Sequence, residues 1–173
     1  FNSLLSRLSI EEISFRSGDT IQNLNDFGRI FSYHAIHGLG GECDILSLSV
    51  CGELEALFDY SYALGGTGAQ GAAALGAVGI PLVAHITDRS REVCELMNYD
   101  TISFVENGRR VGSQNHVSGL PPVRHMILQF NKGDEIRVNG ITYTVPVSNR
   151  LIMDYDTIHK VVPIDQGDRK SVV

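Results

Sequence analysis

Three glycines, Gly66, Gly68 and Gly71, stand at G-x-G-x-x-G spacing within "YALGGTGAQGAAALGAVGIP", and Asp88 follows the apolar run "IPLVAHIT". In a dinucleotide-binding turn, glycines let the backbone close on a pyrophosphate and a later acidic residue holds a ribose hydroxyl. That chemistry needs a buried strand running straight into the first glycine. The preceding "ELEALFDYSYALGG" instead places Leu54, Leu57 and Phe58 at helical spacing and leaves only "YSYAL" for a strand. The dinucleotide reading therefore ranks below two others. In one, the glycines form a tight turn at positive φ, and the small residues after it let a helix pack closely. In the other, N–H groups at that helix's N-terminus approach a polar ligand.

Other chemistry-bearing residues are sparse. His34 and His37 are three apart on a helical segment, which could put two imidazoles on one face, but no third metal ligand is indicated. The three cysteines, Cys43, Cys51 and Cys94, include no C-x-x-C pair, which argues against zinc and against a disulfide framework. Reduced thiols suit a cytoplasmic protein. Net charge is -6, and basic residues do not cluster beyond Arg109-Arg110, so no nucleic-acid partner is expected. Hydrophobic residues make up 43% of the 173, enough for a core. No run has the length of a membrane span and no signal peptide is evident, so no membrane partner is expected.

The elements that would position these groups change character along the chain. From Asp19, "DTIQNLNDFGRIFSYHAIHGLGG" reads as a helix capped by Asp19 or Thr20, with Ile21, Leu24, Phe27, Ile30 and Phe31 on one face and glycines ending it. A strand "CDILSLSV", a helix "GELEALFDY", the glycine turn and a small-residue helix follow. "IPLVAHIT" reads as a buried strand, and "DRSREVCELM" as a helix capped near Thr87 or Asp88. This alternation suggests an α/β layer over residues 1–100. Beyond it, Asn107-Gly108 and Asn139-Gly140 are two-residue hairpin signals. With the strands "RHMILQF" and "NRLIMDY", they suggest a separate antiparallel lid over residues 101–155, in a sheet distinct from the strand at 80–87. Residues 156–173 read as a tail. The chain opens at Phe1 and closes on "DQGDRKSVV" without a final element, as expected of a fragment or an incomplete product.

Taken in order, these motifs resemble a known family. "GG" leading into a small-residue helix and "LGAVGIPLVAHITD" is similar to the front half of ribokinase-like sugar kinases. "RHMILQFNKGDEIRVNGITYTVPVSNRLIMDYD" resembles the ADP-dependent glucokinase and phosphofructokinase family through His125, Phe130 with Gly133, and Asn149-Arg150-Leu151-Ile152. "HGLGGECDI" resembles its glycine-rich stretch carrying a sugar-contacting glutamate, here Glu42. The match runs over roughly residues 20 to 155.

The resemblance implies a partial ribokinase-like α/β core with an antiparallel lid, taking a small sugar or sugar phosphate in carbohydrate metabolism. ADP is the implied donor and magnesium the implied metal of the complete enzyme, with neither expected to bind tightly to this chain alone. Glu42, Gly65, Gly66, Thr67, His125 and Asn149 would contact the sugar, with Arg150 at its phosphate. Each has a plainer reading beside this one. Glu42 could be a solvated loop carboxylate, His125 a satisfied sheet histidine, Arg150 an edge-strand surface charge, and Asn149 only a shaper of its turn. Lys132 reads as solvent-exposed.

The sequence also departs from the family pattern. Thr67 stands where the family has an amide, and Ala73 where it has an asparagine. No Gly-x-Gly-Asp occurs, so no catalytic residue is assigned and these residues alone are not expected to catalyse transfer. A non-catalytic sugar-binding or degenerate kinase-like module is the alternative. A further alternative is a scaffold that pairs with another chain through its lid strands.

Overall fold

The computed structural model describes residues 2–106 and 108–156. Asn107 and residues 157–173 of the expected tail lie outside them. In chain order the elements are α1 (Asn2–Leu5), α2 (Leu24–His37), β1 (Gly41–Asp44), α3 (Leu48–Glu55), α4 (Thr67–Ala77), β2 (Leu82–Val83), α5 (Arg91–Leu96), β3 (Ile102–Glu106), β4 (Arg109–Val111), β5 (Arg124–Phe130), β6 (Glu135–Val138), β7 (Ile141–Thr144) and β8 (Asn149–Tyr155). This is a mixed α/β chain. Its described residues form two compact units, 2–61 with 124–156 and 62–123, so the division does not fall at residue 100.

In the first unit, β8 is the central strand of a three-stranded sheet ordered β1-β8-β5. It runs parallel to β1 and antiparallel to β5. The expected lid sheet is thus corrected in two ways. β8 recruits a strand from the first third of the chain, and the antiparallel strands are shared among three sheets. The cause is alternation along β8. Leu151 and Met153 are buried at 0% and 2% exposure, and they join Cys43 of β1 and Phe130 of β5 in one core with Phe27, Ile30 and Phe31 of α2. Burying those positions together fixes the register and turns the intervening residues to the opposite face.

Helix α2 starts later than the sequence suggests. Asn23 is the N-cap, its side chain accepting from the N–H groups of Asn25 and Asp26. Ile21 is fully buried and bridges Ile45, while Asp19 pairs with Arg29 at 2.7 Å. Gly38, at φ 66°, ends the helix as expected. The strand expected over "CDILSLSV" stops at Asp44, because Leu48–Glu55 winds into α3 and buries Val50, Cys51 and Leu54. Asn139 and Gly140 take φ of 53° and 79° between β6 and β7, the conformation their hairpin needs.

The second unit packs α4 and α5 with the sheet β2-β3-β4 over Ala72, Ala84, Met97, Ile102 and Phe104. The hairpin at Gly108 (φ 72°) forms as expected, but β3 also pairs in parallel with β2. Its sheet therefore contains the 80–87 strand instead of standing apart from it. That strand itself shrinks to two residues, and α5 takes Ser90 as its N-cap, with Asp88 accepting from the Ser90 N–H.

Candidate functional site

The face of the β1-β8-β5 sheet turned away from the core carries most of the chemistry. Alternation brings out Glu42 and Asp44 from β1, Arg150, Ile152 and Asp154 from β8, and His125, Ile127 and Gln129 from β5. The register sets them in rows. Glu42 lies opposite Ile152 and then Ile127, Asp44 opposite Asp154 and then His125, and Arg150 opposite Gln129. Glu42 and His125 therefore share a face, two strand spacings and two residues apart, or roughly 12 Å between their Cα atoms.

A shallow hollow of about 490 Å³ opens on this face, lined by Gly40, Gly41, Glu42, Asn149, Arg150 and Ile152. Two glycines make its wall because there is no room for side chains behind it. A Cβ on Gly41 would lie 2.4 Å from His34 Nε2, and one on Gly40 would lie 2.5 Å from Asn149 Oδ1. Asn149 is occupied with holding this turn. Its Nδ2 donates to Gly38 O and its Oδ1 accepts from the Arg150 N–H. The Arg150 guanidinium makes no ion pair with another described residue and stands exposed beside Glu42.

The electrostatics of the face are uneven. Burial raises the Asp154 carboxyl above the usual carboxylate range. Glu42, Asp44 and Asp156 push the same way, and only His125 opposes them. His125 Nδ1 sits 2.7 Å from Asp154 Oδ1. On the core side of the sheet, burial lifts the Cys43 thiol to about 12, with Asp44 and Asp154 adding to the effect. That thiol is protonated and inert at neutral pH.

The glycine turn lies in the other unit. Gly66, at φ 76°, is the N-cap of α4, and Thr67, exposed, is the helix's first residue. A Cβ on Gly65, Gly66 or Gly71 would meet nothing within 4 Å. The third glycine of a dinucleotide fingerprint exists to let helix and strand approach closely. Here Gly76 fills that role instead, its Cβ position lying 2.7 Å from Ile102 Cδ1. Asp88 is also committed elsewhere, accepting from the N–H groups of Ser90 and Val123. The turn is not a dinucleotide cradle, and the N–H groups of the first turn of α4 are open.

The remaining polar clusters hold the fold. Glu106 pairs with Arg89 and with His116 Nδ1, and His116 stacks on Phe104 with ring centroids 4.5 Å apart. Burial, then Arg89, pushes His116 below the usual imidazole range, while Glu106 opposes them. His34 and His37 each place Nδ1 against the carbonyl four residues earlier. Among the described residues no group of His, Cys, Asp and Glu could hold a metal ion, and no helix is long and apolar enough to cross a membrane. Asp44 and Asp154 were not singled out from the sequence. The alternation in "NRLIMDYD" was the available signal, since it puts Arg150, Ile152 and Asp154 on one face.

Residues 1–164 match the family model described as the ADP-specific phosphofructokinase/glucokinase conserved region. No curated protein matches the chain. The fold is similar to that of a hypothetical ADP-dependent phosphofructokinase from Pyrococcus horikoshii OT3, with a TM-score of 0.68 and 20% identity over 91% of this chain and 37% of that one. A phosphofructokinase from Pyrococcus horikoshii OT3 with AMP gives 0.65 and 21% over 88% and 36%. The last common ancestor of ADP-dependent phosphofructokinases from Methanosarcinales gives 0.64 and 23% over 87% and 33%. The chain thus spans about a third of the length of these structures.

Proposed function

The chain belongs to the ADP-specific phosphofructokinase/glucokinase family, and on that premise we propose that it is the sugar-binding and lid part of an ADP-dependent sugar or sugar-phosphate kinase. The observation that carries this is the shared sheet face: a carboxylate and a guanidinium with no ion pair among the described residues line a glycine-walled hollow, and an imidazole projects from the same face two strands away. Glu42 would accept hydrogen bonds from sugar hydroxyls, and Arg150 would fork onto a phosphate. His125 would meet a ring or phosphate oxygen. Asn149 would act by holding the Gly38–Gly41 turn and the Arg150 backbone. Gly65, Gly66 and Thr67 belong to the other unit, where the N–H groups at the start of α4 would offer donors to a polar ligand.

In the whole kinase, ADP would supply the phosphoryl group and magnesium would neutralise its charge. The described residues contain no metal-ligand cluster and no phosphate cradle of the dinucleotide type, so neither group is assigned to them. Their part is to bind and orient the sugar and to exclude water.

A second reading, a non-catalytic sugar-binding module, is favoured by Thr67 and Ala73. The purified chain, melted with glucose and separately with fructose 6-phosphate, tests the sugar site that both readings share. A sugar held only by the folded state raises Tm, by the equivalent of about 2.7 kcal/mol at a hundred times Kd. The expected pattern is a shift lost in Glu42→Gln for either sugar, and lost in Arg150→Ala only for the phosphorylated one. No shift at saturating concentrations of either sugar would overturn the assignment of this face.

A further inference from the structure

Across the β8–β5 ladder Asp154 stands directly opposite His125. Its Oδ1 lies 2.7 Å from His125 Nδ1 and is a buried oxygen with no hydrogen-bond partner in the ring's present orientation, although two lone pairs would not tolerate that separation. A proton on Nδ1, aimed at Oδ1 by a small turn of the ring, removes the conflict and satisfies the oxygen. The rest of the ring is open, because the His125 side chain is 57% exposed while that of Asp154 is 27% exposed. We propose that Asp154 is a positioning residue of this site: it holds the His125 ring with its proton on Nδ1, so that Nε2 faces outward as the atom that meets the ligand. This rests on the reading of the face as a sugar site, and it adds a residue that touches no ligand itself.

Three features carry it. The first is rigidity. Asp154 sits on the central strand, paired on both sides, and its neighbour Met153 is locked in the core. A carboxylate held this way defines a direction for its partner, as an exposed loop carboxylate would not.

The second is selectivity among neighbours. Glu42, Asp44 and Asp156 surround Asp154 with like charge, and His125 is the one group that favours its ionised form. The pairing of these two residues is therefore specific within an otherwise repulsive cluster.

The third is the chemistry of imidazole. Which ring nitrogen carries the proton is set by the bond the other nitrogen makes, and an unpartnered exposed ring samples both tautomers and turns freely. With Nδ1 engaged, the same outward atom serves two purposes. Neutral, Nε2 accepts from a hydroxyl; protonated, it donates to an oxygen of a phosphate.

The test uses the full chain with nitrogen-15-labelled histidine, at a pH alkaline enough for the imidazoles to be neutral, with His125→Gln to assign the ring signals. Wild type is expected to show a protonated Nδ1 and an unprotonated Nε2. Asp154→Ala is expected to give a mixture of the two tautomers, because no acceptor then fixes the proton on Nδ1. An unchanged backbone amide spectrum in the Ala variant separates this effect from unfolding. A wild-type proton on Nε2, or a folded Asp154→Ala with unchanged ring nitrogens, would overturn the proposal. Adding glucose or fructose 6-phosphate should then move the Nε2 signal. If the tautomer is as expected and neither sugar moves it, the sugar-site reading fails while the hold of Asp154 on His125 stands.

Discussion

Replacing Gly41 by alanine tests the packing that shapes the hollow. The new Cβ would fall 2.4 Å from His34 Nε2 and 2.8 Å from its Cδ2, against an ordinary contact starting at 3.4 Å, so about 1 Å has to be found. The ring has little room to retreat. His34 is 2% exposed, its Nδ1 is held 2.9 Å from Ile30 O, and the rings of Phe15 and Tyr33 pack on it at 4.6 and 5.6 Å. Overpacking of this kind costs typically 1–3 kcal/mol, so about 2 kcal/mol is expected. For a unit of this size, about 2 kcal/mol lowers Tm by roughly 8–16 °C. Thermal unfolding followed by circular dichroism measures this directly. Gly52→Ala is the control, because nothing lies within 4 Å of its Cβ position in the interior of α3. There the substitution should stabilise by about 0.5–1 kcal/mol. A double-mutant cycle with His34→Ala isolates the clash, since Gly41→Ala should cost little once the ring is gone. An equal cost in both backgrounds, or a Gly41→Ala melting point within error of wild type, would refute the reasoning.

Two aspartates should respond to the same substitution with opposite signs. The hydrogen bond from Arg29, then the Arg16 N–H, holds the Asp19 carboxyl below its ordinary 3.8, so the folded state favours the ionised form. Asp19→Asn should destabilise at neutral pH, with the deficit vanishing as pH falls through the lowered value; urea unfolding across that range checks it. Asp154 is raised instead, chiefly by burial, so its ionised form is disfavoured in the folded state. Asp154→Asn should therefore gain stability as pH rises through and above the carboxylate range and gain nothing in strong acid, and a loss at neutral pH would contradict the assigned cause.

Much of the architecture was legible because it rests on local chemistry. Asn139-Gly140 and Gly108 announce hairpins that only positive φ can close, and Gly38 announces the end of α2. "NRLIMDY" reads as a strand because its apolar residues alternate. The errors share a non-local cause. Ile21 fits a helical face, yet it is fully buried in a bridge to Ile45, and Asn23 takes the cap. "LSLSV" alternates as a strand does, yet Leu48–Glu55 is helical because Val50, Cys51 and Leu54 fill a core shared with α2. The placement of β8 beside β1, more than a hundred residues earlier, has no local signature at all. The same pairing assembles the candidate face. Glu42, Arg150 and His125 could be named from the sequence by resemblance, and alternation along β8 pointed to Asp154, but Asp44 joins them only when the register puts the two aspartates in one row.

The two faces of that sheet obey different rules. The core face is what stability alone would select: Cys43, Leu151, Met153 and Phe130, each at most 7% exposed. On the outer face, Asp44 lies directly opposite Asp154, and like charges opposed across a ladder are destabilising. Glu42 and Asp156 add to the same repulsion. A sheet face that only needed to be wet would be served by charges of both signs interspersed. This one gathers its acids along β1 and the end of β8, sets Arg150 and His125 apart from each other, and leaves Ile127, 54% exposed, beside Ile152 between them. Such an arrangement gives up stability where a ligand can restore it, because site residues commonly sit at the unfavourable end of the stability–activity trade-off. On the proposed reading, a polyhydroxylated ring would supply what the face lacks: hydroxyl donors for the carboxylates, a C–H surface for the isoleucines and, when phosphorylated, an anion for Arg150. The proposed sugar site would thus account for a surplus of acceptors along β1 that the stability of the sheet does not call for.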